Sequence, residues 1–121
     1  MMIKMKMIIS TYPDQTIAEK IAKESIKARL VACANIAKVR SIYVWKGKME
    51  DTDEFLVIFK TTEKGANKLK DFIKKSHPYE VPEIVEIAPD YVDPDYLSWL
   101  NESVRRFRSE HGLLPKSNRK E

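Results

Sequence analysis

The chain has 121 residues, of which 43% are apolar and 33% are charged. This size fits one domain with its own core and excludes a two-domain enzyme. The net charge of +4 arises mostly in residues 101–121, which carry six basic and three acidic side chains, so the rest of the chain has no cation excess that predicts a nucleic-acid partner.

The number of cysteines and the length of the apolar segments indicate the cellular compartment of the protein. Cys33 is the only cysteine, which permits neither an intrachain disulfide nor a CxxC metal clip and fits a reducing compartment. The apolar run at residues 7–9 is too short for a signal sequence, and no other run approaches the ~20 residues of a membrane span. We therefore expect a cytoplasmic protein with no membrane partner.

The first predicted elements are a strand and an amphipathic helix. Residues 5–11 contain a short apolar run that leads into Pro13, which predicts a buried strand followed by a turn. Asp14 is placed as an N-cap, and apolar residues then recur every three or four positions while charged residues occupy the other face. This pattern predicts a helix over residues 14–28 with a buried stripe of Ile17, Ala18, Ile21, Ala22, Ser25 and Ile26.

A long β-hairpin and a second helix follow. Residues 31–46 are rich in β-branched and aromatic side chains, and residues 46–48 reverse the chain into a return strand that contains residues 55–59. Thr61 or Thr62 then caps a second helix, and Pro78 ends that helix near His77. Its apolar stripe contains Ala66, Leu69, Phe72 and Ile73.

The last predicted elements are a fourth strand at residues 84–88 and an extra C-terminal helix that starts at Asp93 and Pro94. The order βαββαβ with right-handed crossovers predicts an antiparallel four-stranded sheet with both long helices on one face, which is an α+β ferredoxin-like sandwich. Residues 1–104 are predicted to form this single domain, and residues 105–121 a basic, polar extension.

The predicted hairpin is too long for the body that carries it. The sixteen residues 31–46 span roughly 53 Å as a strand, whereas the first helix covers roughly 22 Å. A projecting hairpin would leave apolar faces and unpaired edges in water unless another chain covers them, which predicts an obligate homo-oligomer. The apolar residues on this predicted hairpin are Ile42, Val44, Trp45, Phe55 and Val57. The alternative is a β-bulge at residues 37–39 that folds the hairpin back on its own sheet.

His77 and Cys33 are the candidates for metal chemistry. His77 lies in a segment with two prolines, and its imidazole suits Cu(II) or Zn(II) with Glu80 or Glu83 as a carboxylate partner. These side chains do not share one face of an extended chain, so they would converge only through a turn or a neighbouring subunit. The alternative for His77 is a structural imidazole at a helix C-terminus. Cys33, between two alanines, is more simply explained as a small buried apolar residue.

The remaining motifs do not indicate an enzyme. Residues 50–54 contain four carboxylates, which strand alternation divides between the two faces of the hairpin. We expect them to lie at a solvated hairpin tip and to pair with Lys46 and Lys48. The sequence has no P-loop, GxGxxG, GxSxG or HExxH motif, and no strand pattern typical of RNA binding. No nucleophile is paired with a base, so we expect neither catalysis nor an organic cofactor.

Several co-linear motifs are similar to those of one known family. They are STYPD at residues 10–14, LVACANI at 30–36, SIYVWKGK at 41–48, FKTT at 59–62, HPYEVPEI at 77–84 and DYLSWL at 95–100. Over residues 5–104 the chain resembles the CutA-type divalent-cation tolerance proteins. The resemblance implies a ferredoxin-like subunit in a tight homotrimer held by its long hairpin, and a cytoplasmic protein that binds divalent metal ions, copper among them.

The resemblance also implies site residues. His77 of the His-Pro-Tyr motif is the best metal candidate, and Cys33 is a weaker one. Some members carry Cys at the position of Ser10 and a second His at that of Ser76, so this chain keeps only His77 of that set. The family's trimer is similar to that of PII-type signalling proteins, whose inter-subunit clefts bind small ligands. The alternative is therefore a scaffold trimer with incidental metal binding and a ligand cleft near Trp45, Tyr79, Glu80 and Glu83.

Overall fold

The computed structural model of the chain describes residues 3–105. Its elements are β1 (Met5–Tyr12), α1 (Gln15–Lys27), β2 (Cys33–Trp45), β3 (Lys48–Thr62), α2 (Glu63–Ser76), β4 (Val85–Ile87) and α3 (Pro94–Val104). The strands form one sheet in the order β2-β3-β1-β4, and each neighbouring pair is antiparallel. This is the predicted α+β ferredoxin-like fold with its extra helix. The predicted extension, apart from residue 105, lies outside the described residues.

Capping residues set the starts of the helices, as predicted. The Asp14 carboxylate accepts a hydrogen bond of 2.8 Å from the Ile17 N–H at the start of α1. Thr62, rather than Thr61, caps α2, and its hydroxyl accepts from the Gly65 N–H at 3.1 Å. Thr61 is instead fully buried. None of the three helices among residues 3–105 is both long and apolar enough to cross a membrane.

Both long helices pack on one face of the sheet, where they bury a continuous apolar core. Residues that alternate along β1 and β3 point to this face, and the stripes of α1 and α2 meet them. Three predicted stripe residues differ, because Ile26 is exposed and Ile17 and Phe72 are only partly buried. The core consists of Ile8, Tyr12, Ala18, Ile21, Ala22, Val31, Val57, Phe59, Ala66, Leu69 and Ile73.

The hairpin of β2 and β3 projects beyond β1 without a bulge. The register runs unbroken from the pair Cys33 and Lys60 to the pair Trp45 and Lys48, so the alternative of a bulge at residues 37–39 is wrong. β1 ends opposite Phe55. Beyond that point, seven residues of each strand pair only with each other among the described strands and reach about 23 Å past the body. The prediction that Phe55 and Val57 lie on the projecting part is wrong, because both pair with β1 in the body, where Val57 is fully buried and Phe55 partly buried. Residues 39–54 are called the arm below.

A two-residue turn explains the straight register of the arm. Lys46 and Gly47 both have positive φ, 51° and 79°, which makes a type I′ turn. The backbone twist of this turn matches the twist of the two strands that it joins, so β2 and β3 pair up to the turn without a bulge.

The arm exposes apolar side chains on the face that points away from Tyr43 and Trp45. Val44 and Met49 lie opposite each other on this face and are 64% and 75% exposed.

The carboxylates of residues 50–54 divide between the two faces, as predicted, but their partners differ from the prediction. Arg40 and Lys38, rather than the lysines of the turn, pair with the two aspartates, Asp51 and Asp53.

Candidate functional site

A cleft of about 720 Å³ opens between the arm and the segment at residues 78–83. This feature is called the hairpin cleft below. Four residues that sequence analysis placed near a ligand cleft, Trp45, Tyr79, Glu80 and Glu83, all line it. The complete lining is Thr11, Ser41, Ile42, Tyr43, Trp45, Glu54, Pro78, Tyr79, Glu80, Val81 and Glu83.

The chain reaches this position because α2 stops where predicted. His77 is the C-cap of α2 and adopts an extended conformation, with φ of −73° and ψ of 136°. A residue that precedes proline is driven out of the helical region, so Pro78 enforces this exit. The following segment then passes the end of β1 on its way to β4, which pairs with β1. Its side chains therefore face the base of the arm.

His77 anchors this segment through both of its ring nitrogens. Nδ1 accepts a hydrogen bond of 3.0 Å from the Tyr79 backbone N–H, so Nδ1 carries no proton. Nε2 lies 2.8 Å from the Thr11 carbonyl oxygen and therefore donates to it. The ring also stacks on Tyr12 at 4.5 Å between centroids and is 9% exposed. These contacts define a neutral imidazole with its proton on Nε2.

This environment bears on the predicted metal role of His77. Burial lowers the pKa of the imidazole, and the Thr11 carbonyl and the Glu54 carboxylate offset that effect only in part. Both ring nitrogens are engaged by backbone groups, so the imidazole offers no free lone pair in this conformation. As a ligand, His77 would have to leave both hydrogen bonds. In this conformation it positions the segment that lines the cleft.

Glu54 is the site residue that sequence analysis missed. It was predicted to lie at a solvated tip, which is wrong, because its side chain is only 6% exposed. Its Oε2 accepts a hydrogen bond of 2.5 Å from the Tyr79 hydroxyl. Burial and the nearby carboxylate both raise the pKa of Tyr79. Strand alternation was the available signal, since it places Glu54 on the same face as the half-buried Leu56 and Ile58.

Cys33 lies away from the cleft. It pairs with Lys60, whereas Thr11 pairs with Leu56, four residues or roughly 13 Å farther along β3. Its side chain is half-buried, and Sγ lies 3.9 Å from the Asn35 side-chain oxygen. The fold therefore does not bring Cys33 and His77 together.

The carboxylates of the cleft do not form a complete metal site within one chain. Glu80 and Glu83 are exposed and share the cleft with Glu54. Within residues 3–105, however, no three His, Cys, Asp or Glu side chains are grouped closely enough to hold an ion. A metal ion in the cleft would therefore need ligands beyond those that the described residues group together, such as water or a second chain.

Comparisons with known proteins agree on one family. Residues 6–103 match the model of the CutA1 divalent ion tolerance protein family. The chain is 44% identical to the divalent-cation tolerance protein CutA of Pyrococcus horikoshii over 84% of this chain and all of that protein. It is 39% identical to the CutA of Thermotoga maritima over 83% of this chain and 99% of that protein.

Solved structures give the same result. A CutA1 structure from Ehrlichia chaffeensis superposes with a TM-score of 0.82 at 28% identity and covers 87% of this chain and 99% of that one. A CutA1 structure from Pyrococcus horikoshii gives a TM-score of 0.80 at 42% identity, over 84% and 99% of the two chains. The fold, the co-linear motifs and these matches together show that the chain belongs to the CutA1 divalent ion tolerance family.

Proposed function

We propose that this chain acts as a cytoplasmic homotrimer that binds divalent cations, copper among them, and catalyses no reaction. The observation that carries the proposal is the arm, which projects past the body and leaves large apolar side chains in water. Val44 and Met49 are mostly exposed, and Ile42 beside them is 60% exposed. An exposed apolar strand pair invites aggregation unless a partner covers it.

The sheet edges favour a ring of copies rather than a symmetric pair. Among the described strands, β2 is an edge strand, and no third strand pairs with the arm on either side. The opposite edge is β4, which has only three residues and exposes Val85 and Ile87. An arm that reaches the β4 side of a second copy makes a head-to-tail contact, and such contacts produce closed rings when the rotation closes. The proposed ring has three subunits.

The proposed cation ligands are Glu80 and Glu83. Both are exposed on the cleft wall, and no cation pairs with either of them among the described residues. A neighbouring subunit would complete the coordination, because residues 3–105 of one chain do not group three ligands. A given site of nitrogen and oxygen donors binds Cu²⁺ more tightly than other first-row divalent ions, which accords with a role that includes copper. In this proposal His77 orients the two glutamates.

Calorimetric titration of Cu(II) and Zn(II) tests the cation site, with the mass of each sample measured by light scattering. We expect saturable binding to the wild type, loss of binding in Glu80→Gln/Glu83→Gln, and binding close to wild type in Glu24→Gln, an exposed glutamate on α1. Binding that survives in the double variant would overturn the assignment of these ligands. A monomeric mass would overturn the trimer.

A second candidate function is supported by the size and lining of the hairpin cleft. A volume of about 720 Å³ far exceeds the space that a metal ion fills and lies within the range of small-molecule sites. In this version the protein is a scaffold or signalling trimer, and metal binding is incidental. A variant that loses metal binding but keeps its cellular role would favour this candidate over the first.

The proposed cytoplasmic location depends on the single cysteine. A related structure, from Archaeoglobus fulgidus, is described as a periplasmic divalent cation tolerance protein. Fractionation of the native protein from its own cells decides between the two compartments. Recovery outside the cytoplasmic fraction would overturn the proposed location.

A further inference from the structure

The lining of the hairpin cleft has a strong charge bias. Among the described residues that line it, three are carboxylates, Glu54, Glu80 and Glu83, and none is a lysine, arginine or histidine. In a cleft with low-dielectric walls, like charges reinforce one another and raise the local concentration of the opposite ion. The cleft therefore favours a cationic occupant.

Within residues 3–105, Glu54 at the base of the cleft forms no salt bridge. Its side chain is 6% exposed, and its one hydrogen bond among the described residues is that from Tyr79. The aspartates on the opposite face of the arm, Asp51 and Asp53, each pair with a cation although they are far more exposed. A buried carboxylate is costly unless it is paired, so a cation that reached Glu54 would be stabilised there.

Aromatic rings supply the rest of the binding surface. Tyr43, Trp45 and Tyr79 line the cleft, and the first two are 41% and 42% exposed. The Lys46 ammonium already lies 5.8 Å from the centroid of the Trp45 ring, so that ring is placed to attract a cation. Aromatic side chains are the usual surroundings of bound quaternary ammonium groups.

We propose that the hairpin cleft binds a small organic cation, an ammonium ion carried on an apolar body. The charged group lies toward Glu54, and the apolar body covers the rings of Tyr43 and Trp45. This inference rests on the second candidate function and names its ligand class. The volume of the cleft lies within the range of small-molecule sites, which separates this ligand from a bare metal ion.

Tryptophan fluorescence provides a direct test, because the chain has only two tryptophans. In a Trp99→Phe background, Trp45 is the sole reporter and lies in the cleft. The probe is choline, and the control is 3,3-dimethylbutan-1-ol, a neutral molecule of the same shape. Titrations are made in EDTA so that no metal competes. We expect a saturable response to choline. The alcohol should bind at least about tenfold more weakly.

Variants locate the charged group of the probe. Glu54→Gln should weaken choline binding by about tenfold. Glu83→Gln should weaken it as well, and because Glu83 is exposed, this variant is expected to fold normally. Glu63→Gln, an exposed glutamate at the start of α2, is the matched control and should bind as the background protein does.

Three results would overturn the inference. They are equal binding of choline and the neutral alcohol, choline binding that neither cleft variant weakens, and no saturable response to either compound. The last result is also the one expected if a neighbouring chain fills the cleft. Zinc titration of the same protein without EDTA, together with its mass, shows separately whether the proposed cation-binding trimer stands.

Discussion

The Tyr79 hydroxyl donates a hydrogen bond of 2.5 Å to the buried carboxylate of Glu54, and this contact ties the segment after α2 to the base of the arm. The two residues are 25 positions apart in the sequence. His77 holds the same segment from the other side through the Tyr79 backbone N–H. The shape of the hairpin cleft therefore depends on a short chain of polar contacts rather than on the apolar core.

The first prediction concerns this contact. Tyr79→Phe leaves the Glu54 carboxylate buried without a donor, so the free energy of unfolding should fall by about 1.5–3 kcal/mol. Adding Glu54→Gln should recover part of that loss, because a neutral amide is less costly to leave unpaired. Urea unfolding of the single and double variants measures both effects. Tyr91→Phe, at a residue that is 76% exposed, is the control and should stay near wild type.

The second prediction concerns acid sensitivity. Burial lowers the pKa of His77 below its usual 6.5, so the unfolded chain binds a proton there before the folded chain does. Stability should therefore fall as the pH drops below about 6.5, until the pH reaches the lowered folded pKa of His77. Urea unfolding between neutral and mildly acidic pH measures this slope, with His111 replaced by Gln throughout. A slope that is the same in His77→Asn would show that another group is responsible.

The third prediction sets helix propensity against packing at Gly65. Alanine is favoured over glycine inside a helix by about 1 kcal/mol, which alone predicts that Gly65→Ala stabilises the protein. A Cβ at this position, however, would clash with the Thr61 hydroxyl and would lie 2.6 Å from the Leu30 carbonyl oxygen. The Thr61 hydroxyl donates a hydrogen bond of 2.6 Å to the same Leu30 carbonyl, so moving either group away from the new Cβ would weaken this hydrogen bond.

Packing should win at Gly65, and we expect a loss of about 1–3 kcal/mol in thermal or urea unfolding. Ala66, the next residue, is fully buried, so Ala66→Gly removes a packed methyl group and lowers helix propensity at the same time. This variant is the matched control, because both effects act in the same direction there. A stabilised Gly65→Ala variant would contradict the tight approach of α2 to the loop before β2.

The fourth prediction concerns assembly. Val44→Lys places a charge on the apolar face of the arm, and burying an unpaired ammonium in an interface is strongly unfavourable. Light scattering should show a smaller mass than that of the wild type at equal concentration. Lys20→Glu changes an exposed charge on α1, away from the arm, and should leave the mass unchanged. An unaltered mass in Val44→Lys would exclude this face from the assembly.

Local chemistry made much of the fold predictable from the sequence. The helix starts at Asp14 and Asp93 and the stop before Pro78 depend on one residue and its near neighbours, and the structure has all three. The type I′ turn at Lys46 and Gly47 is likewise a local matter. The projection of the hairpin followed from a comparison of lengths.

The details of the site were less predictable because they depend on distant contacts. His77 bonds to a carbonyl 66 residues earlier, and no local pattern specifies that partner or the tautomer that it selects. Glu54 lies in a run of carboxylates that looks solvated, and only the position of Tyr79 shows why it is buried. The choice between Thr61 and Thr62 as the cap likewise depended on the Leu30 carbonyl, which binds the hydroxyl of Thr61.

Native mass spectrometry of the metal-free protein titrated with Zn²⁺ tests the central proposal most directly, because one spectrum counts both subunits and bound ions. We predict a complex of three 14.1 kDa chains that takes up zinc, keeps most of that uptake in His77→Asn, and loses it in Glu80→Gln/Glu83→Gln. A monomer, or a trimer whose zinc uptake depends on His77 and not on the two glutamates, would contradict it.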